Sequence, residues 1–128
     1  MIPYSRQNIS NKDIQEVTKV LKSKNLTQGP YIKKFEKAFS NYVGSKFSVA
    51  VSSGTAALHW SVLSLGIKPG DKIITTPLTF SATANCIRYC NGEVVFVDTD
   101  PNTYLIDLNK VESLLSKSPK GTYKGIIP

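Results

Sequence analysis

Residues 52–55, Ser-Ser-Gly-Thr, are the stretch of this chain best suited to chemistry. Phe47, Val49 and Val51 precede them in a short apolar run that predicts a buried strand. From Ala56 onward the spacing is helical, with Leu58, Val62 and Leu65 on one face. A small-residue turn between strand and helix aims free backbone N–H groups and the positive end of a helix dipole at one point. Such a turn accepts a phosphate or another anion without a basic side chain. Ser53 and Thr55 add hydroxyl donors, and Gly54 allows a close backbone approach. The same residues also read as a plain helix cap. They form neither a Walker loop nor a G-x-G-x-x-G turn, so the local pattern leaves the ligand open.

Other reactive side chains are scattered. Phe80 follows Pro77-Leu78-Thr79 and, by residue type alone, reads as core. Asp98 and Asp100 are candidate acid/base carboxylates, although Pro101 and Asn102 favour a strand-exit turn. Cys86 and Cys90, four apart on one helical face, read as structural thiols of a reducing compartment, and no further Cys completes a metal set. His59 lies one turn inside its helix and reads as packing.

These residues need a scaffold. Ser10 with Asp13 three residues on reads as the start of a helix carrying Ile14, Val17, Val20 and Leu21. Residues 25–30 form a turn-rich break, and a second helix carries Ile32, Phe35, Phe39 and Val43 up to Gly44. From Phe47 the pattern alternates. Strands are expected at 47–51, 72–76 and 94–97, helices at 56–65, 81–90 and 108–115, and a fourth strand begins at Gly125. Repeated strand–helix units predict an α/β fold with a mainly parallel, doubly wound sheet in three αβα layers. Ligands bind such sheets at the carboxyl ends of the strands, which here are 52–55, 77–80 and 98–100.

The chain has 128 residues, 41% hydrophobic and 20% charged, with a net charge of +7. No run approaches a membrane span and no signal-peptide core is present, so a cytoplasmic location is expected. The lysines are scattered and do not interleave with aromatics, so no nucleic-acid partner is expected; a solvated helical face accounts for most of the charge.

Five stretches taken together resemble the N-terminal part of the DegT-type nucleotide-sugar aminotransferases, pyridoxal-phosphate enzymes of fold type I. They are Ile-Pro-Tyr-Ser-Arg-Gln (2–7), Leu-Thr-Gln-Gly-Pro (26–30), Ser-Ser-Gly-Thr-Ala-Ala-Leu-His (52–59), Thr-Thr-Pro-Leu-Thr-Phe-Ser-Ala-Thr-Ala-Asn (75–85) and Val-Phe-Val-Asp (95–98). The Pro-Leu-Thr-Phe loop and the Asn-Leu-Thr-Gln turn are similar to those of members acting in bacterial pseudaminic acid synthesis. The resemblance implies pyridoxal 5'-phosphate as cofactor, its phosphate on Gly54, Thr55 and Ala56 and its ring stacked on Phe80. It implies that Tyr4, Lys24, Asn25, Leu26, Thr27 and Ser53 line a UDP-sugar site shared across a homodimer, with an amino acid as donor. Residues 1–46 would be a helical arm and 47–128 the first, incomplete part of the cofactor-binding domain. The family's Schiff-base lysine and the Asp that pairs with the pyridine nitrogen fall beyond residue 128. Lys46, Lys72 and Lys124 precede strands, at the far edge from the phosphate turn, so no catalytic residue is assigned within the chain. A sugar dehydratase of the same family and a non-enzymatic basic binding module are the alternatives.

Overall fold

A computed structural model describes residues 2–3 and 5–128. The chain divides into two compact units, 1–50 and 51–128.

The first unit holds helices α1 (Asn11–Leu21) and α2 (Pro30–Val43). The Ser10 side chain accepts from the Asp13 amide while the Asp13 carboxylate accepts from the Ser10 amide at 2.7 Å, the reciprocal capping box expected from the sequence. Asp13 titrates below its ordinary value because the Ser10 N–H and hydroxyl bind its ionised form. Pro30 opens α2, and Gly44 closes it in the left-handed region at φ 71°, where a Cβ would be strained. Both apolar faces are largely exposed, including Ile14, Val17, Phe35 and Phe39.

Residues 47–51 depart from expectation. They form no strand, and Phe47 and Val49 are 77% and 80% exposed. A strand is held by ladder bonds to a neighbour, and no described strand pairs with this segment. Its polar contacts go to α2 instead: the Ser48 hydroxyl donates to the Glu36 carbonyl and the Ala50 amide to Glu36 Oε1 at 2.9 Å.

The second unit carries the sheet. Strands β1 (Lys72–Thr75), β2 (Glu93–Phe96) and β3 (Tyr123–Ile127) pair in parallel in the order β2-β1-β3. Helices α3 (Gly54–Ser64) and α4 (Ala82–Tyr89) share a core with one face, through Val62, Cys86, Ile87, Ile73 and, half-buried, Val94 and Ile127. Helix α5 (Leu108–Ser116) packs on the other through Val111 and Leu114, with Ile74, Val95 and Tyr123. Successive side chains of a strand point to opposite faces, so Ile73 and Ile74, both fully buried, anchor the two layers. This is the αβα arrangement expected from the sequence, built on three strands among the described residues. Thr75 is fully buried, and its hydroxyl is satisfied by the Ile127 carbonyl at 2.8 Å. Cys86 and Cys90 are buried free thiols in the core, as their spacing implied. The Cys86 thiol donates to the Thr83 carbonyl at 3.1 Å, and burial raises its pKa, which makes it a poor nucleophile.

Candidate functional site

The Ser-Ser-Gly-Thr turn is built as a helix N-terminus. Ser53 is the N-cap of α3, its backbone extended, and its hydroxyl accepts from the Ala56 amide at 3.1 Å. The Ala57 amide closes on the Ser53 carbonyl at 3.0 Å. The amides of Gly54 and Thr55 find no acceptor among the described residues, and both residues are exposed. The cap and the anion turn are therefore compatible: Ser53 satisfies one orphan donor of the helix and leaves two outward. Gly54 is required neither by its φ nor by packing, since an added Cβ would meet nothing within 4 Å. A glycine with no internal reason to be one fits a position that a bound group approaches closely. Helix α3 bears no charged residue, so its dipole meets an anion without competition from its own side chains.

Phe80 ends the exit loop of β1 and is 74% exposed, which excludes the core role that its residue type suggested. A flat exposed ring beside the carboxyl edge of a parallel sheet suits stacking on a planar ligand. The helices that follow the two candidate elements, α3 and α4, pack together through Leu58, Val62, Cys86 and Ile87, and His59 meets Tyr89 edge-on with ring centroids 5.4 Å apart. His59 is thus a packing residue.

The exit loop of β2 is a closed structural device. Asp98 Oδ1 accepts from the Thr99 amide at 2.9 Å, and Oδ2 lies 3.4 Å from Lys110 Nζ. Asp100 Oδ1 accepts from the amides of Asn102 and Thr103 at 2.8 and 2.9 Å. The backbone donor at Thr99, then Lys110, lowers the Asp98 pKa; the amides of Thr103 and Asn102 lower that of Asp100. Carboxylates stabilised in their ionised form are poor general acids at neutral pH, and the turn reading prevails. Lys110, not singled out in the sequence, also lies 3.6 Å from Asp107, the N-cap of α5, and so ties the loop to that helix.

A cavity of about 640 Å³ opens at the carboxyl edge between these loops, lined by Thr76, Leu78, Thr79, Asp100, Tyr104 and Pro128 among others. None of Ser53, Gly54, Thr55, Ala56 or Phe80 lines it. On the opposite edge Lys72 and Lys124 pair with Glu93 and Asp71 at 3.3 and 3.9 Å.

In the first unit, Lys24, Asn25, Leu26 and Thr27 form an exposed turn between α1 and α2, pinned by the Ser23 hydroxyl donating to the Asn25 carbonyl at 3.3 Å. Tyr4 lies outside the described residues. Glu36 escaped sequence reading, although a signal was present: it falls at helical spacing within the apolar stripe of Ile32, Phe35, Phe39 and Val43.

No described helix is long and apolar enough to cross a membrane. The profile of the DegT/DnrJ/EryC1/StrS aminotransferase family matches residues 7–128. The Bacillus subtilis spore coat polysaccharide biosynthesis protein SpsC is 47% identical over 119 residues, covering 93% of this chain and 31% of that protein. The UDP-4-amino-4,6-dideoxy-N-acetyl-beta-L-altrosamine transaminase of Campylobacter jejuni is 44% identical over 119 residues, covering 92% of this chain and 31% of that protein. Among solved structures, an E. coli GDP-4-keto-6-deoxy-D-mannose-3-dehydratase with bound hydrated PLP superimposes with a TM-score of 0.81 at 32% identity, over 93% of this chain and 31% of that one. The chain thus spans about a third of the length of these relatives.

Proposed function

The chain belongs to the DegT/DnrJ/EryC1/StrS aminotransferase family, whose members work with pyridoxal 5'-phosphate, and on that premise we propose that it is the N-terminal part of a sugar-nucleotide transaminase. The whole enzyme would move an amino group from an amino acid, L-glutamate, to the 4-keto carbon of a UDP-linked deoxy sugar in cytoplasmic, pseudaminic acid-type surface-sugar synthesis. The observation that carries this reading is the 44% identity to the Campylobacter transaminase over nearly the whole chain. Residues 1–46 are its helical arm and 47–128 the opening of its cofactor domain.

The residues present fit the cofactor. Two outward amides at Gly54 and Thr55, a capped helix end and an open glycine suit a phosphate; the Ala56 amide, expected as a third donor, is taken by the Ser53 hydroxyl and would reach a phosphate only by leaving it. Phe80 offers an exposed face to a planar ring. When bound, pyridoxal phosphate supplies the electron sink that amino transfer needs. This chain's residues would fix its phosphate, orient its ring and shield one ring face from water. Ser53, Tyr4 and the Lys24, Asn25, Leu26 and Thr27 turn would contact the nucleotide sugar within a homodimer.

No residue here is assigned as the cofactor's covalent lysine. The expected outcome is that the 128-residue chain, given pyridoxal phosphate, L-glutamate and a UDP-4-keto sugar, forms no amino sugar. Amino-sugar formation, or a borohydride-fixed cofactor adduct mapped to a lysine of this chain, would refute the assignment. The likeness to the E. coli dehydratase supports a second reading. The residue at the covalent-lysine position separates the two, since a dehydratase of this family carries His there.

A further inference from the structure

The cavity at the carboxyl edge of the sheet lies wholly within the second unit, and none of residues 53–56 or Phe80 lines it. Its volume of about 640 Å³ falls in the range of small-molecule sites. Its walls are largely apolar. Leu78 comes from the exit loop of β1, Leu105 from that of β2 and Leu108 from the first turn of α5, and each is more than half exposed.

Tyr104 lines the same cavity in a conformation that its own packing does not offset. Its φ of 60° is left-handed, a region that an aromatic residue enters only under constraint. The constraint is the backbone of the β2 exit loop. The Tyr104 amide donates to the Asp100 carbonyl and the Asp100 amide to the Leu105 carbonyl, both at 2.8 Å, while Thr99 and Ile106 bridge antiparallel. Glycine would complete this turn without strain. A tyrosine stands there instead, and its ring is mostly exposed, so burial compensates little. Strain kept without burial points to a side chain placed for contact with a ligand.

Charge selects the class of ligand. No lysine or arginine lines the cavity, whereas two carboxylates do. That of Asp107 is committed: Oδ1 accepts from the Asn109 and Lys110 amides, and Oδ2 lies 3.6 Å from Lys110 Nζ. That of Asp100 is half free. Its Oδ1 accepts from the amides of Asn102 and Thr103, which favour the ionised form, while Oδ2 accepts no hydrogen bond among the described residues. An anion is repelled here, and a polyol finds few polar partners among leucines. An ammonium is favoured twice, by the carboxylate and by the negative face of a tyrosine ring. We propose that this cavity binds a small organic cation, a primary ammonium on an apolar body, with Asp100 and Tyr104 taking the charge and Leu78, Leu105 and Leu108 the body. The site is separate from the phosphate turn, and neither reading depends on the other.

The test is an NMR titration of the labelled 128-residue chain with 2-phenylethylammonium, its neutral counterpart 2-phenylethanol and the anion 3-phenylpropionate. The ammonium should shift the amides of residues 100–109 and bind about tenfold more tightly than the alcohol, and the anion should leave them unmoved. Tyr104→Gly should weaken the ammonium about tenfold without lowering the chemical-denaturation midpoint, because relief of the left-handed backbone offsets the added freedom of glycine. Asp100→Asn keeps an oxygen for the turn amides and removes the charge, so the ammonium and the alcohol should then bind alike. Unmoved amides at 100–109 with the ammonium, equal affinity for ammonium and alcohol in the wild type, or a preference for the anion would overturn the proposal. So would an unchanged affinity in Tyr104→Gly.

Discussion

Ser53 and Gly54 do opposite work at adjacent positions. Ser53 serves the fold: its hydroxyl satisfies the Ala56 amide at 3.1 Å. Ser53→Ala should therefore cost about 1 kcal/mol of stability, read by chemical denaturation. Gly54 has no such role in the fold, because a Cβ there meets nothing in the chain and its φ is ordinary, and the proposed function gives it to the ligand. Gly54→Ala should leave the unfolding midpoint nearly unchanged while weakening pyridoxal phosphate binding by tenfold or more. Equal loss of stability in both variants would show that the glycine is structural. Phe80→Ala belongs with Gly54→Ala, since a ring 74% exposed contributes little to the core.

At the scale of elements, the sheet and the helix caps follow directly from local chemistry. The run Lys72-Ile73-Ile74-Thr75-Thr76 reads as a strand buried on both faces, and four of its five residues are buried. Truncating Ile73 to Ala should cost roughly 2–5 kcal/mol, whereas the same change at exposed Ile14 should cost far less. The capping box of α1 makes a pH prediction. The folded pKa of Asp13 lies below its ordinary value of 3.8, so its contribution to the helix is complete above that pH. It is lost as pH falls further, through the lower folded value. Helicity at α1, followed by Cα chemical shifts of residues 11–21, should therefore decline below about pH 4, and Ser10→Ala should blunt that decline. The caps, Gly44 and the paired strands were legible because each depends on neighbours in sequence or on an evident hydrophobic period. The strand expected at 47–51 was not realised because its alternation states which face wants burial and not which neighbour supplies it. Glu36 was overlooked for a related reason: its partners lie 12 and 14 residues away.

For the molecule as a whole, the turn at 52–55 and Phe80 were both expected at strand ends; Phe80 follows β1, the turn is a helix N-terminus with no strand before it, and both are exposed. The cavity at the carboxyl edge was not legible. It arises from the β2 exit loop, where Asp100 and a left-handed Tyr104 (φ 60°) fold the chain back on itself. Large apolar side chains remain exposed on α1, α2 and α3, among them Phe35, Phe39 and Trp60. Exposed apolar side chains of this size and number suit contact with further polypeptide and favour aggregation when left bare. The isolated chain should accordingly bind the dye ANS strongly; an absence of dye binding would show these faces covered in solution.

The most direct test of the central claim, that residues 53–56 hold a phosphate while Phe80 covers the attached ring, is an NMR titration of the labelled chain with pyridoxal 5'-phosphate and, in parallel, with unphosphorylated pyridoxal. The account predicts that the amides of Gly54, Thr55 and Ala56 and the ring protons of Phe80 shift together with the phosphorylated compound, and that the three amides stay unmoved with pyridoxal. Shifts confined to lysine-rich surfaces, or equal responses to the two compounds, would contradict it.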